Sequence, residues 1–147
     1  MGLALNRAEL GAYLDEIFPQ VRGQFVIDRL EPMEITMRLN VDQSHLRPGG
    51  TVSGPAMFAL ADVTVYALVL SMVGRAALAV TTNCSIDFMR KPEAGKPLIA
   101  TGRLLKLGRV LAVGDVLLLS EGSHKPVARA SLTYSIPPEG SAAALAG

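Results

Sequence analysis

Residues 53–74 read SGPAMFALADVTVYALVLSMVG, and this stretch decides the fold. The 18 residues from Ala56 to Val73 are apolar except for one carboxylate, two hydroxyl side chains and a tyrosine. Ser53 is suited to cap a helix, Pro55 is tolerated in its first turn, and Gly74 is a natural stop. An apolar run of this length is marginal as a membrane span, and a helix that is apolar all round can be the buried centre of a globular fold. The acidic residue inside the run and the strand-like stretches around it favour the buried helix.

A short amphipathic helix is predicted near the N-terminus. Asn6, followed three residues later by Glu9, has the pattern of a capping box. Pro19 comes just after the expected end of this helix. One helical face is formed by four apolar residues, Leu10, Tyr13, Leu14 and Ile17.

Six strand-like stretches surround the long helix. They are rich in alternating apolar residues and bounded by turn residues: Gln24–Leu30, Glu34–Val41, Leu78–Met89, Leu98–Leu107, Val110–Ser120 and Val127–Ile136. Two tight hairpins in a row predict an antiparallel meander at the end of the chain. The sequence therefore predicts an α+β fold, in which a curved antiparallel sheet wraps around one long hydrophobic helix. We expect one domain over residues 1–137, and a disordered tail over residues 138–147, which are rich in Pro, Gly, Ser and Ala.

The composition excludes several classes of protein. Half of the 147 residues are hydrophobic and 18% are charged, which argues against disorder. A formal net charge of +1 and the absence of tryptophan give no sign of a nucleic-acid or anionic-membrane partner. The single cysteine, Cys84, cannot form an internal disulfide and is expected to be a small core residue. A reducing, cytoplasmic location is expected.

Asp62 is the anomaly in the long helix. Its neighbours one helical turn away are Phe58, Ala59, Val65 and Tyr66. An unpaired buried carboxylate costs several kcal/mol or has its pKa raised. One interpretation is a structural acid, paired with an arginine or held by backbone amides. The other is a general base or nucleophile in a dry cleft.

The start of the same helix offers a second functional group. The backbone N–H groups of Gly54 and Ala56 are expected to be unused by the helix's own hydrogen bonds and to lie at the positive end of its dipole. Such a terminus can hold a thioester carbonyl as it becomes an oxyanion. Gly54 and Asp62 are eight residues apart, which is about 12 Å along a helix. If both act on one substrate, they must come from different subunits, which predicts a homodimer with composite sites.

Other kinds of site lack support in the sequence. His45 and His124 are far apart, and no metal-ligand spacing occurs. No nucleophile elbow, phosphate-binding loop or dinucleotide fingerprint is present. We therefore expect no metal and no cofactor.

Two stretches resemble a known family. RPGGTVSGPAMFALAD, from Arg47 to Asp62, is similar to the active-site segment of hotdog-fold thioesterases of the PaaI-like group, the phenylacetic-acid-pathway type. That segment has an Asn, then His-Gly-Gly at the helix start, then an Asp nine residues after the His. Arg47 stands at the Asn position, and Ser53, Gly54 and Pro55 occupy the His-Gly-Gly positions. The second stretch, TTNCSIDFMRKPEAGKPL from residue 81, resembles the family's third strand and the turn after it.

The resemblance implies hydrolysis of an acyl-CoA-type thioester, with CoA as part of the substrate. Asp62 would activate water or attack the carbonyl, and the Gly54 amide would bind the oxyanion. It also implies a dimer or a dimer of dimers, with a pantetheine tunnel between subunits. Thr81 and Asn83 match the strand that faces the acid, where one of them would orient the water.

The remaining site candidates concern substrate binding. Arg47 and Ser53 lie where the family differs, and Arg47 is a candidate for a phosphate or a substrate carboxylate. Basic residues at strand ends are candidates for the CoA phosphates: Arg90, Lys91, Lys106 and Arg109. Met57, Phe58 and Ala61 are expected to line the acyl pocket together with the facing chain.

Three alternatives remain at this point. The same fold supports hydration or dehydration of an acyl thioester, for which His45 would be the nearest histidine. A hotdog domain can also bind an acyl-CoA without hydrolysing it, or form a dimer with no ligand. The acyl group, and the choice between CoA and an acyl carrier protein, stay open.

Overall fold

The structure is a computed structural model that describes residues 2–138. Its helices and strands are, in chain order, α1 (Arg7–Ile17), β1 (Phe25–Glu31), β2 (Glu34–Leu39), α2 (Gly54–Val73), β3 (Val80–Phe88), β4 (Leu98–Leu107), β5 (Leu111–Ser120) and β6 (Ala128–Ser135). Short 3₁₀ turns occupy Pro19–Val21 and Gln43–His45. Apart from Pro138, the tail predicted to be disordered lies outside the described residues.

The predicted elements are all observed. β4 has the predicted bounds, and the other five strands differ from the prediction by one or two residues at an end. The N-terminal capping box is formed as expected, because the Asn6 side chain accepts from the Glu9 amide (2.8 Å) and the Glu9 carboxylate accepts from the Asn6 amide (3.0 Å). Leu10 and Tyr13 carry the buried face of α1.

The six strands form one antiparallel sheet in the order β1-β2-β4-β5-β6-β3. The predicted meander is β4-β5-β6, and β3 joins its far side by pairing with β6. Within the described residues, β3 is therefore an edge strand whose outer backbone groups face no neighbouring strand. The helix α2 packs on the concave face, against β2 to β6.

Two glycines let α2 approach the middle of the sheet. A Cβ added to Gly102 on β4 would lie 2.9 Å from the Thr64 Cγ2 atom. A Cβ added to Gly114 on β5 would lie 3.2 Å from the Val65 Cγ1 atom. The helix therefore rests almost directly on the backbone of the two central strands.

The helix α2 is buried on most sides but not on all. It is long and apolar enough to pass a test for a membrane span, yet 67% of its most apolar window is buried inside the protein, as in a core helix. One stripe along it stays at least partly exposed: Pro55, Phe58, Ala59, Asp62 and Tyr66. This open stripe carries the carboxylate, and the arrangement as a whole is the hotdog fold predicted from the sequence.

Candidate active site

Asp62 lies in the third turn of α2, on the open stripe, with its side chain partly buried. It lines a cavity of about 380 Å³ between α2, the end of α1 and the start of β3. Within the described residues, no lysine or arginine forms an ion pair with it. The interpretation of Asp62 as half of an internal ion pair is therefore not supported.

Two hydroxyl groups compensate for the partial burial of this carboxylate. The Thr81 hydroxyl on β3 and the Tyr134 hydroxyl on β6 each donate to Asp62 Oδ1 at 2.6 Å. Both donors converge on one oxygen, and no donor from the described residues reaches Oδ2. One oxygen is therefore held in place, while the other is available to a ligand in the cavity.

Thr81 was predicted to lie beside Asp62, whereas Tyr134 was not singled out. The sequence did contain a signal for Tyr134, because the alternation of β6 puts this tyrosine on the buried face and a buried hydroxyl requires a partner. Burial, together with the charge of Asp62, raises the pKa of Tyr134 above its ordinary value. Tyr134 therefore remains a protonated donor to the carboxylate at neutral pH.

Asn83, which was predicted to face the acid, forms no hydrogen bond to Asp62 within this protomer. The pairing of β3 with β6 shifts register between Thr81 and Asn83. Thr81 turns towards Asp62, while Asn83 is exposed and forms no hydrogen bond to that carboxylate. Regular alternation would place Thr81 and Asn83 on the same face of β3, and this β-bulge gives them different surroundings.

The start of α2 differs in one detail from the prediction. The Ser53 hydroxyl caps the helix by accepting from the Ala56 amide at 3.3 Å, so this amide is not available to a ligand. The Gly54 amide meets no acceptor among the described residues. The Phe88 ring lies beside it, 3.6 Å from where a Cβ of Gly54 would be. Gly54 is thus the candidate oxyanion donor, with an aromatic ring at its side.

A buried histidine holds the segment that leads into this helix. His45 is 7% exposed, and its Nδ1 accepts from the Asp42 amide at 2.9 Å. Its Nε2 lies 3.1 Å from the Gln24 Oε1 atom, and its backbone carbonyl accepts from the Ser53 amide at 2.8 Å. His45 therefore links the start of β1 to the residue that precedes Gly54. The sequence offered His45 only as the nearest histidine for a hydratase, and not as a structural residue at the start of α2.

Several predicted substrate-binding residues lie away from Asp62. Met57 is only 5% exposed and Ala61 is fully buried in this protomer, and neither lines the cavity beside Asp62, so their predicted place in an acyl pocket shared with the facing chain stays a prediction. Phe58 is 40% exposed on the open stripe. Arg47 is exposed in the loop before α2, where its amide bonds to the Thr51 carbonyl at 2.9 Å.

The basic candidates do not form one cluster. Arg90 and Lys91 follow the end of β3, near the start of α2, and are exposed. Lys106 and Arg109 are exposed around the β4–β5 turn. This turn lies at the opposite end of the sheet, because the Ile136 amide after β6 bonds to the Val110 carbonyl and β6 pairs there with the start of β3. One phosphate group cannot contact both pairs within a protomer.

A larger cavity of about 690 Å³ lies on the sheet face that points away from α2. Ion-paired and hydroxyl side chains line it, including Arg129, Asp87 and Ser131. Asp62 does not reach this cavity. Within residues 2–138, no group of three potential metal ligands occurs.

A long central helix wrapped by an antiparallel sheet, with a hydroxyl-bound acid on its open stripe, defines a hotdog protein with an enzyme-like site. The chain belongs to the thioesterase superfamily, whose sequence profile matches residues 49–127, more than half of the 147 residues. The family predicted from the sequence is thereby confirmed.

Individual relatives agree with this assignment. Acyl-coenzyme A thioesterase 13 of Homo sapiens is 25% identical over 112 residues, which span 76% of this chain and 79% of the relative. The crystal structure of a candidate thioesterase from Silicibacter sp. TM1040 is 67% identical, with a TM-score of 0.89 over 94% of this chain and 96% of that one. A mutant of the phenylacetic acid degradation protein PaaI from Thermus thermophilus is 28% identical, with a TM-score of 0.70 over 81% and 99% of the two chains.

Proposed function

We propose that this protein hydrolyses acyl thioesters of CoA to the free acid and the CoA thiol, with Asp62 as the reacting carboxylate. The observation that carries the proposal is the asymmetry of the Asp62 carboxylate. Its Oδ1 accepts two short hydrogen bonds, and its Oδ2 is left open to a cavity. Membership of the thioesterase superfamily supports this chemistry, and the name of the human relative supports CoA as the carrier.

The proposed reaction uses one group from each of two subunits. The thioester carbonyl oxygen accepts a hydrogen bond from the Gly54 amide of one subunit. Asp62 Oδ2 of the other subunit removes a proton from water, which adds to the carbonyl carbon, or attacks that carbon directly to form an anhydride that water then cleaves. In both routes the C–S bond breaks and CoA leaves as a thiolate, which needs little assistance from an acid.

The proposed mechanism calls for a homodimer. Within one chain the two groups are eight residues apart, which is about 12 Å along α2 and too far for one reacting carbon. The edge strand β3 and the open stripe of α2 lie side by side. Their exposed apolar side chains include Phe58 (40% exposed), Val80 (55%) and Phe88 (51%). Pairing two copies through this surface covers the apolar side chains and satisfies the free edge of β3.

The alternative reactions are less well supported. A hydratase on this fold needs a histidine at the acid, but both ring nitrogens of His45 are engaged by Asp42 and Gln24. Binding of an acyl-CoA without hydrolysis is distinguished from the proposed function by a thiol-release assay. A cytoplasmic location, suggested by the single cysteine, is part of the same proposal.

The test is a thiol-release assay on acetyl-, octanoyl- and phenylacetyl-CoA and on the matching acyl-carrier-protein thioesters. Asp62→Asn should reduce kcat at least a hundredfold, roughly the contribution of a positioned base. Asp87→Asn is the matched control, because it makes the same change on β3 at an exposed site that faces away from α2. Equal rates for the Asp62→Asn and wild-type proteins would discard the assignment of Asp62.

Tight binding of CoA esters without thiol release would favour the sensor, and hydration of crotonyl-CoA would favour the hydratase. Single turnover in ¹⁸O-labelled water separates the two hydrolytic routes, because only direct attack puts label into Asp62.

A further inference from the structure

We propose that Gln24 and His45 form a positioning pair for the oxyanion donor. The pair ties the start of the sheet to the segment that enters α2, and it thereby fixes the direction in which the Gly54 amide points. This inference rests on the proposed hydrolysis and adds two residues to its machinery. Both are positioning residues, because they act on the Gly54 amide through the backbone and not on the substrate.

The peptide unit between Ser53 and Gly54 carries the donor. Because a peptide unit is planar and trans, the Gly54 N–H points away from the Ser53 carbonyl of the same unit. That carbonyl accepts from the Met57 amide at 3.0 Å, and the Ser53 amide donates to the His45 carbonyl at 2.8 Å. Ser53 is thus held by the helix on one side and by His45 on the other, so the direction of the Gly54 N–H depends on where His45 lies.

The loop at residues 46–52 gives this arrangement little directional support. Its ends pair with each other, since Leu46 and Val52 form an isolated antiparallel bridge. Val52 is 2% exposed and anchors the loop by apolar packing, which is not directional. Among the described residues, no side-chain hydrogen bond joins residues 46–52 to the rest of the protein. The directional contact that precedes Ser53 is therefore the side chain of His45.

The ring of His45 is held on both sides. Its Nδ1 accepts from the Asp42 amide at 2.9 Å, so its proton lies on Nε2, which donates to Gln24 Oε1 at 3.1 Å. Asp42 belongs to the same segment, whereas Gln24 lies 21 residues earlier and is the long-range anchor. The Gln24 carbonyl accepts from the Asn40 amide at 2.9 Å, which joins the residue before β1 to the residue after β2. The ring thus rests on the end of the β1–β2 hairpin.

Loss of the Gln24 oxygen should affect the reaction through Gly54. It leaves the Nε2–H of a buried ring without an acceptor, which is costly, so the ring has to shift towards water. The His45 carbonyl would shift with it, and Ser53 would follow. The Gly54 amide acts on charge that develops only in the transition state. A misaligned donor therefore lowers kcat and leaves KM nearly unchanged.

Substitutions of Gln24 test the pair by steady-state kinetics on the acyl-CoA that the wild type hydrolyses fastest. Gln24→Met keeps the length of the side chain but removes the acceptor, and it should lower kcat about fivefold, a typical effect of one hydrogen bond. Gln24→Glu keeps an oxygen at the same position and should retain most of the wild-type kcat. Gln43→Met is the matched control, because it makes the same change at an exposed glutamine in the segment that contains His45.

Amide hydrogen exchange provides a readout that does not depend on activity. In ¹⁵N-labelled protein, the Ser53 amide should exchange about tenfold faster in Gln24→Met than in the wild type, because its bond to the His45 carbonyl opens more often. The exchange rate should be unchanged in Gln43→Met. Amides of the central strands β4 and β5 serve as the internal reference for a folded sheet.

The two measurements separate failure of the pair from failure of the hydrolytic function. Faster exchange at Ser53 supports the pair even if the wild type hydrolyses no thioester, and that absence of hydrolysis would overturn only the proposed function. In an active enzyme, the pair is overturned by an unchanged kcat in Gln24→Met, by an equal rise in KM, or by a Gln24→Glu variant as slow as Gln24→Met. Unchanged exchange at Ser53 in Gln24→Met would overturn it whatever the activity.

Discussion

The hydroxyl of Tyr134 on the last strand lies 2.6 Å from the Oδ1 atom of Asp62 in the central helix, 72 residues earlier in the chain. The Thr81 hydroxyl approaches the same oxygen at the same distance from the edge strand. The strands β3 and β6 therefore fix the orientation of a carboxylate that belongs to α2. Each of these contacts can be removed with a single substitution that keeps the volume of the side chain nearly constant.

Tyr134→Phe is expected to lower kcat about tenfold, the effect of losing a hydrogen bond to a charged group. Steady-state rates on one acyl-CoA measure the loss. Tyr13→Phe, on α1, is the control for removal of a buried tyrosine hydroxyl, and an unchanged kcat in Tyr134→Phe would contradict the assignment.

Thr81→Val should also lower kcat, whereas Thr81→Ser should retain most of the wild-type activity. Valine matches threonine in shape but lacks the hydroxyl that donates to Asp62, and serine keeps it. Steady-state rates of the two variants provide the comparison. Loss of activity in both would mean that the methyl group, rather than the hydroxyl, is what the site requires.

His45→Ala is expected to destabilise the fold by about 1–3 kcal/mol, because it leaves the Asp42 amide without its acceptor. It should also lower kcat, because the side chain anchors the loop whose His45 carbonyl accepts from the amide of Ser53, the residue before Gly54. His45→Asn should recover part of both effects, because the asparagine oxygen can replace Nδ1. Urea unfolding and steady-state kinetics measure the two quantities. If stability falls while kcat stays constant, His45 does not position the start of α2.

The thiol of Cys84 is expected to react slowly with iodoacetamide at pH 8. Burial first, and the negative charge of Asp62 second, raise its pKa, so the thiolate fraction at that pH is reduced. Asp62→Asn removes the second cause, which lowers the pKa of Cys84 and should speed alkylation. Mass spectrometry of timed samples gives both rates. An equal or slower rate in Asp62→Asn would contradict the contribution of Asp62 to the raised pKa of Cys84.

Mixing two inactive variants tests the composite site. Gly54→Pro removes the amide hydrogen, and proline is accepted at a helix start. Chains with Gly54→Pro and chains with Asp62→Asn should exchange subunits to form mixed dimers. In each mixed dimer, one of the two sites has both groups intact. Random exchange should restore about a quarter of wild-type activity, because half of the dimers are mixed and each has one working site. No recovery after verified subunit exchange would place both groups in the same chain or remove one of them from the reaction.

Much of the fold followed from local pattern. The apolar run from Ala56 to Val73, the capping box at Asn6 and the alternation of the strands predicted every helix and strand, because each signal lies within a few residues. The pairing of β3 with β6 carried no such local signal. It depends on how the sheet closes around α2 and not on a turn.

The site was predictable only in part. Asp62 stood out because a carboxylate in an apolar run is costly, and Gly54 because it begins that run. The contacts of Tyr134 and His45 join residues from distant parts of the chain, and periodicity cannot tell which buried hydroxyl meets which acid. The burial of Met57 was not predictable for a related reason, since an apolar helix gives little indication of which side faces the sheet.

Gly102 and Gly114 set the depth at which α2 rests on β4 and β5. A methyl group at either position would push the helix outward by a few tenths of an ångström, and Asp62 would be carried with it. Such a displacement is as large as the margin between a good and a poor hydrogen bond. Gly102 and Gly114 therefore touch no substrate, yet the height of α2 above the sheet, and with it the distance from Asp62 to its two hydroxyl donors, depends on their having no side chain.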